Sequence, residues 1–271
     1  KLIFKSNMVN SAYLVELLSN IPGDTPLEGA CMRRSTATNL MDSVPYVPSS
    51  DFPVVNPARK NSNGEQIDYW AGVRGKEGIY MVQDSSVASM IHFMPRFMQN
   101  NNITSDDVEF LTNGDIKSNV GAFVNGKVIL ENTDNEILQD ITCQNGYIHV
   151  LEDVALPLDN MANVIAQNPQ FSIYKRLLDR FSYPHYSSTV NTEYHRQYGG
   201  DMEDSVYVRR YFNKHLNYGF SKTDKREDPS GLLPYDPGWN HYFLQGANAT
   251  ESYFQRDAAV MMVPTDEALL N

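Results

Sequence analysis

Asn145-Gly146-Tyr147-Ile148-His149-Val150-Leu151-Glu152-Asp153-Val154-Ala155-Leu156-Pro157 is the stretch on which the fold turns. Asn-Gly tolerates the positive φ of a tight hairpin turn, so a turn is expected at Asn145-Gly146, and it sets the register of the strand behind it. Along that strand Ile148 and Val150 share one face, while Tyr147, His149 and Leu151 share the other. His149 alternates with apolar neighbours, which is the setting of a hydrogen-bonded, half-buried imidazole. Pro157 cannot donate to a ladder and closes the strand region.

Upstream, Phe123-Val124, Asn125-Gly126 and Val128-Ile129-Leu130 read as a second hairpin. Thr104 and Asp107 form a capping box for a short helix through Phe110 and Leu111, with Gly114 placed to end it. Ile79-Tyr80-Met81-Val82 has the look of a buried strand. Between them, Ser85 or Ser86 is expected to open a helix with Val87, Met90, Ile91 and Met94 inward, stopped or kinked by Pro95. Asn10 or Ser11 can cap an earlier helix through Leu14, Leu17, Leu18 and Ile21, ended by Pro22-Gly23. The proline-, asparagine- and serine-rich stretch 22–78 reads as a long surface excursion.

Downstream, two helices are expected, one with Met161, Val164 and Ile165 inward. The other starts at Pro169 and carries Phe171, Tyr174, Leu177, Leu178 and Phe181. Residues 183–254 differ in texture, holding half of the 30 aromatic residues and four of the six histidines. Internal strands are plausible at Ser205-Val206-Tyr207-Val208 and Tyr242-Phe243-Leu244, and Ala259-Val260-Met261-Met262-Val263 resumes a buried strand. The class is α+β, with a boundary after Pro157.

The whole chain has 271 residues, 41% hydrophobic and 20% charged, which is a globular composition. With 22 Lys+Arg against 33 Asp+Glu, its net charge of −11 repels phosphate backbones, so nucleic acid is not an expected partner. No apolar run reaches the ~20 residues that cross a bilayer. Cys31 and Cys143 read as small unpaired hydrophobes; were they bridged, the loop of roughly 100 residues would contribute up to about 4–5 kcal/mol.

Signatures of catalysis are missing: no G-x-S-x-G, H-E-x-x-H, P-loop or C-x-x-C occurs. His185, His195, His215 and His241 match no ligand spacing, and Asp201, Glu203 and Asp204 lack the pattern of a calcium loop, so no metal site is expected. A hydrolase using Asp201 and Glu203 would need two carboxyls held across a cleft, which nothing in the sequence arranges. Tyr235, Trp239, Asn240 and Tyr242 could stack on sugar rings or anchor a protein interface; equally, such rings pack a loop-rich segment onto its own domain.

Two stretches resemble the paired signature of the fasciclin family of extracellular adhesion domains. Residues 145–157, with Asn145, Gly146, Ile148, His149 and Val150, resemble the motif that closes such a domain. Val260-Met261-Met262-Val263-Pro264-Thr265-Asp266-Glu267-Ala268-Leu269 resembles the motif near its beginning, with Ala-Leu where the family usually has Ala-Phe. Asp140-Ile141 matches the aspartate–isoleucine pair that some animal members use for integrin binding. The closing motif precedes the opening one, so the resemblance implies two consecutive domains. Residues 1–158 would be the later part of one, with an insertion at about 22–78. Residues 159–271 would be the start of the next, with an aromatic-rich insertion at about 183–254. The fold implied is a fasciclin-like β-sandwich or wedge with packed helices. Pro264-Thr265-Asp266 would end a strand and cap the following helix.

The long insertions are similar to those of cell-surface fasciclin lipoproteins of Bacteroidota. That likeness implies a non-enzymatic adhesion or assembly protein without a cofactor. It would sit on the extracellular face of the cell surface, lipid-anchored through a segment upstream. Its partners would be other envelope proteins, including an outer-membrane nutrient importer. The alternative is a glycan- or peptide-binding module that uses the aromatic insertion.

Overall fold

The computed structural model describes residues 2–55, 60, 63–83, 88–111, 121–200, 205–212, 233–238 and 260–271. Its helices are α1 (Leu2–Ser6), α2 (Pro95–Asn100), α3 (Ser105–Leu111), α4 (Met161–Gln167), α5 (Ser172–Asp179), α6 (Ser188–Tyr198) and α7 (Asp266–Leu270). Its strands are β1 (Arg33–Ser35), β2 (Tyr46–Pro48), β3 (Gly78–Val82), β4 (Ser89–Phe93) and β5 (Phe123–Val124). They continue with β6 (Lys127–Val128), β7 (Ile141–Cys143), β8 (Gly146–Ile148), β9 (Ser182–Tyr186) and β10 (Val206–Tyr211). The protein is α+β, with three small sheets ordered β1-β4-β5-β6, β2-β3-β10-β9 and β7-β8. Among the described residues no helix is long and apolar enough to cross a membrane.

The chain divides into two units. The first draws on Lys1–Thr38 and Ala88–Leu158, the second on Asn39–Val87, Asp159–Ala249 and Ala259–Asn271. Both contain part of stretch 22–78, which is only in part the surface excursion its prolines suggest. Cys31, Arg34, Met41, Trp70 and Val73 within it are all buried. Between these packed pieces residues 22–28 and 48–51 stay exposed.

In the first unit, β4 replaces the helix expected to run into Pro95. Proline disfavours helical geometry in the residue before it, and Met94 is extended at φ −99°, ψ 152°. The apolar positions therefore follow a period of two, burying Met90 and His92, and Pro95 opens α2 rather than ending a helix. β4 pairs antiparallel with β1, Arg34 facing Met90, and with β5, His92 facing Val124. The β5–β6 hairpin turns on Asn125 and Gly126, both at positive φ, as the sequence predicts. Thr104 and Asp107 cap α3 reciprocally: the Asp107 carboxylate accepts from the Thr104 N–H at 2.8 Å. Val15, Leu18, Met94, Val124 and Ile129 form the main core.

The helix expected over residues 10–21 is instead one 3-10 turn at Val15–Leu17. Its polar groups are claimed from outside. The Val15 N–H donates to Asp140 Oδ1 (2.8 Å), and Arg34 Nη2 reaches the carbonyls of Leu18 (2.7 Å), Leu17 and Asn20. Nearby, Gly29 has φ +61°, and a Cβ there would lie 2.6 Å from Asn100 Nδ2 and 2.8 Å from the Arg96 carbonyl oxygen. Gly29→Ala is therefore expected to cost at least about 1–2 kcal/mol from the left-handed backbone alone. A urea-unfolding midpoint lowered to that extent is the expected result.

In the second unit β10 runs parallel to β3 and antiparallel to β9, with β2 on the outer edge of β3. Met41, Val82, Val190, Val206 and Val208 fill one side of this sheet; Phe52, Trp70, Val73, Ile79 and Met81 fill another cluster. The Trp70 indole N–H donates to the Ser182 carbonyl at 2.9 Å. Asn160 caps α4, which buries Ala162 and Ile165 and leaves Val164 half exposed, against the expected inward stripe of Met161, Val164 and Ile165. Residues 260–263 are not the buried strand expected. Val260 and Met262 are 75% and 84% exposed, and only Met261 and Val263 pack against Ala162, Ile165 and Leu178. The strands expected around Tyr242, and the end of α3 at Gly114, lie outside the described residues.

Candidate binding cavity

In the first unit, residues 7–13 and 145–149 face each other across a cavity of about 620 Å³. Its floor is made by buried core residues Leu18, Met90, Val124 and Ile129 with half-buried Leu151. The volume falls within the ~300–1,000 Å³ typical of ligand sites. None of the side chains lining it is an aspartate, glutamate, lysine or arginine, in a chain of net charge −11. Asparagine amides (Asn7, Asn10, Asn145), the Ser11 hydroxyl and the Tyr13 and Tyr147 rings supply its polarity.

Of the closing-motif residues, Asn145, Gly146, Ile148 and His149 line this cavity. Val150 does not; its backbone bridges Leu138 and Leu130. The turn is displaced from Asn145-Gly146. Cys143 pairs with Gly146, residues 144–145 make the turn, and neither Asn145 nor Gly146 takes a positive φ. The positive φ falls instead on Asp140, at 57°, a conformation aspartate tolerates better than most residues.

His149 closes one end of the cavity. Its Nδ1 accepts the Asp140 backbone N–H at 3.1 Å, and Nε2 lies 3.0 Å from the Tyr13 carbonyl oxygen. One neutral tautomer, protonated at Nε2, satisfies both. The expected half-buried, hydrogen-bonded histidine is what the structure shows. The Asp140 carboxylate sits 3.5 Å from the same ring while holding the Val15 N–H, and Ile141 is half-buried in β7 opposite Ile148. The Asp140-Ile141 pair thus ties the rim together.

The other candidates lie in the second unit. Thr265 caps α7 by accepting from the Ala268 N–H, and Pro264 precedes it. Asp266 accepts from the Ser172 hydroxyl (2.5 Å) and the Ile173 N–H (2.8 Å), so it satisfies the open amino end of α5, and these bonds hold its carboxyl below the usual range. The Tyr235 hydroxyl is spent on the Val260 carbonyl at 3.1 Å, with Met161 Sδ at 3.3 Å. Burial, then the neighbouring Tyr174, pushes that phenol up. Trp239, Asn240, Tyr242, Asp201, Glu203, His215 and His241 lie outside the described residues. His195 Nδ1 is 3.3 Å from the Gly199 carbonyl oxygen, and no metal-ligand cluster forms among the described residues. Cys31 and Cys143 are free thiols.

The rim at residues 7–13 has no sequence signal. It shows neither period, and Asn10-Ser11 reads as a helix cap. No protein-family model, no curated protein and no solved structure matches the chain.

Proposed function

We propose that the chain is a non-enzymatic recognition module of fasciclin type, used in adhesion or assembly at the extracellular face of the cell surface. In this reading a lipid anchor upstream holds it there, and its partners are other envelope proteins, among them an outer-membrane nutrient importer. The observation that carries it is the uncharged cavity walled by the closing-motif residues 145–149. An apolar floor and a lining without aspartate, glutamate, lysine or arginine suit surface recognition, since the Asp140 carboxylate on the rim is already bonded to the Val15 N–H. The sequence resemblance of residues 145–157 and 260–269 supports the family reading, and the likeness of the long insertions supports the location. The alternative is a glycan- or peptide-binding module on the aromatic insertion; of its candidates Tyr235 donates its hydroxyl to the Val260 carbonyl, and Trp239, Asn240 and Tyr242 lie outside the described residues.

Photo-crosslinking tests this. A Tyr147→benzoylphenylalanine protein on intact producing cells should yield one discrete adduct with an envelope protein. The same probe at Glu267, outside the cavity, should not. A chain that stays a lone, adduct-free species from position 147 would contradict the assignment.

A further inference from the structure

We infer that the cavity receives an extended, uncharged polypeptide strand, which adds to the open edge of β8; this rests on the recognition reading above and names the partner's chemistry. Five consecutive residues, 145–149, line the cavity. In a strand, successive side chains point to opposite faces, so an unbroken run can line one space only if the backbone edge itself is turned toward it. Residues 7–13, outside any helix or strand, form the other wall.

The hydrogen-bond pattern supports an open edge. Cys143 and Gly146 close the two-residue turn, and Ile141 pairs with Ile148. Antiparallel pairs alternate between bonded and non-bonded, so at Thr142 opposite Tyr147 the Tyr147 N–H and C=O point away from β7. Continuing the alternation turns the His149 N–H and C=O the same way. Among the described residues neither Tyr147 nor His149 gives its backbone to another protein group, and on the facing wall Ser11 and Ala12 make no hydrogen bond. Unpaired ladder groups beside an apolar floor are what strand addition uses: main-chain bonds supply affinity and alternate side chains fill the floor. Leu18, Val124 and Ile129 take apolar side chains, and the uncharged lining selects against ionised ones, whose desolvation nothing there offsets. A sugar could bond single edge groups through its hydroxyls but has no ladder of alternating N–H and C=O to match the strand.

The test uses the whole 271-residue chain. Random peptides of about eight residues, a typical strand length, are selected on it by display, and each enriched peptide is followed by amide hydrogen exchange. The expected result is enrichment of uncharged sequences with apolar residues at alternate positions. Exchange at the Tyr147 and His149 amides should then slow at least ~10-fold. N-methylation of one central peptide amide should weaken binding about tenfold, and Tyr147→Ala, which keeps the backbone edge, should still bind.

Three results would overturn strand addition. They are no enrichment, enriched peptides that leave both amides unprotected, or protection produced by maltohexaose and by no peptide. An envelope adduct from position 147 alongside any of these would leave the recognition reading standing and remove only the strand.

Discussion

Between pH 6.5 and pH 3 the first unit should lose on the order of 5 kcal/mol of stability through one side chain, His92. His92 has no solvent exposure. Burial first, and the positive charge of Arg34 second, push its imidazole down from 6.5 to about 3. Among the described residues its Nδ1 has no hydrogen-bond partner, and its Nε2 faces Cys31 Sγ at 3.7 Å. The unfolded chain takes up a proton near 6.5, whereas the folded chain refuses it until about 3. Acid therefore favours the unfolded state throughout that window, by about 1.4 kcal/mol per pH unit, and the contribution is whole only above 6.5. Denaturant unfolding of wild type and His92→Leu at pH 7, 6, 5 and 4 isolates the effect, because the carboxylates are common to both. The stability difference should shift toward the variant as pH falls. Parallel pH profiles would contradict a neutral, buried His92.

The second large effect is expected at Arg34, 2% exposed, with its ring neighbour Tyr13 at 4.2 Å. Its Nε and Nη2 hold the carbonyls of Leu17, Leu18 and Asn20, around the 3-10 turn. Arg34→Met strands these acceptors at about 1–3 kcal/mol each where buried, but also relieves a buried cation whose Nη1 has no hydrogen-bond partner among the described residues. With several bonds lost against one desolvation relieved, the loss wins, and a net destabilisation of about 2–4 kcal/mol is expected. Arg34→Lys keeps the charge without the fork and should recover only part of it. The two sites also couple. Without the Arg34 charge, His92 should accept its proton at higher pH, so the acid limb of Arg34→Met moves toward neutrality. Independent, additive effects in the double variant would contradict that coupling.

What could be read ahead of the structure follows from how local the cause is. The Asn125-Gly126 hairpin, the Thr104–Asp107 cap and the buried β3 strand depend on residues a few positions apart, and all three are present. The helix expected around Met90 failed because three apolar spacings outweighed one proline whose effect on Met94 is decisive. Residues 10–21 failed for a non-local reason. Asp140, 125 residues away, takes the Val15 N–H that a helix would have used, and Arg34 holds the Leu18 carbonyl in place. For the same reason the cavity was half legible: the wall at residues 145–149 carries the motif, while the wall at residues 7–13 is fixed by its tie to His149.

Hydrogen exchange at the Tyr147 amide, in the free chain and in the complex captured from the cell envelope, addresses the recognition cavity most directly. The N–H should exchange freely alone and at least ~10-fold more slowly in the complex, together with that of His149. A partner that remains bound while both amides exchange at their free rates would place recognition elsewhere on the molecule.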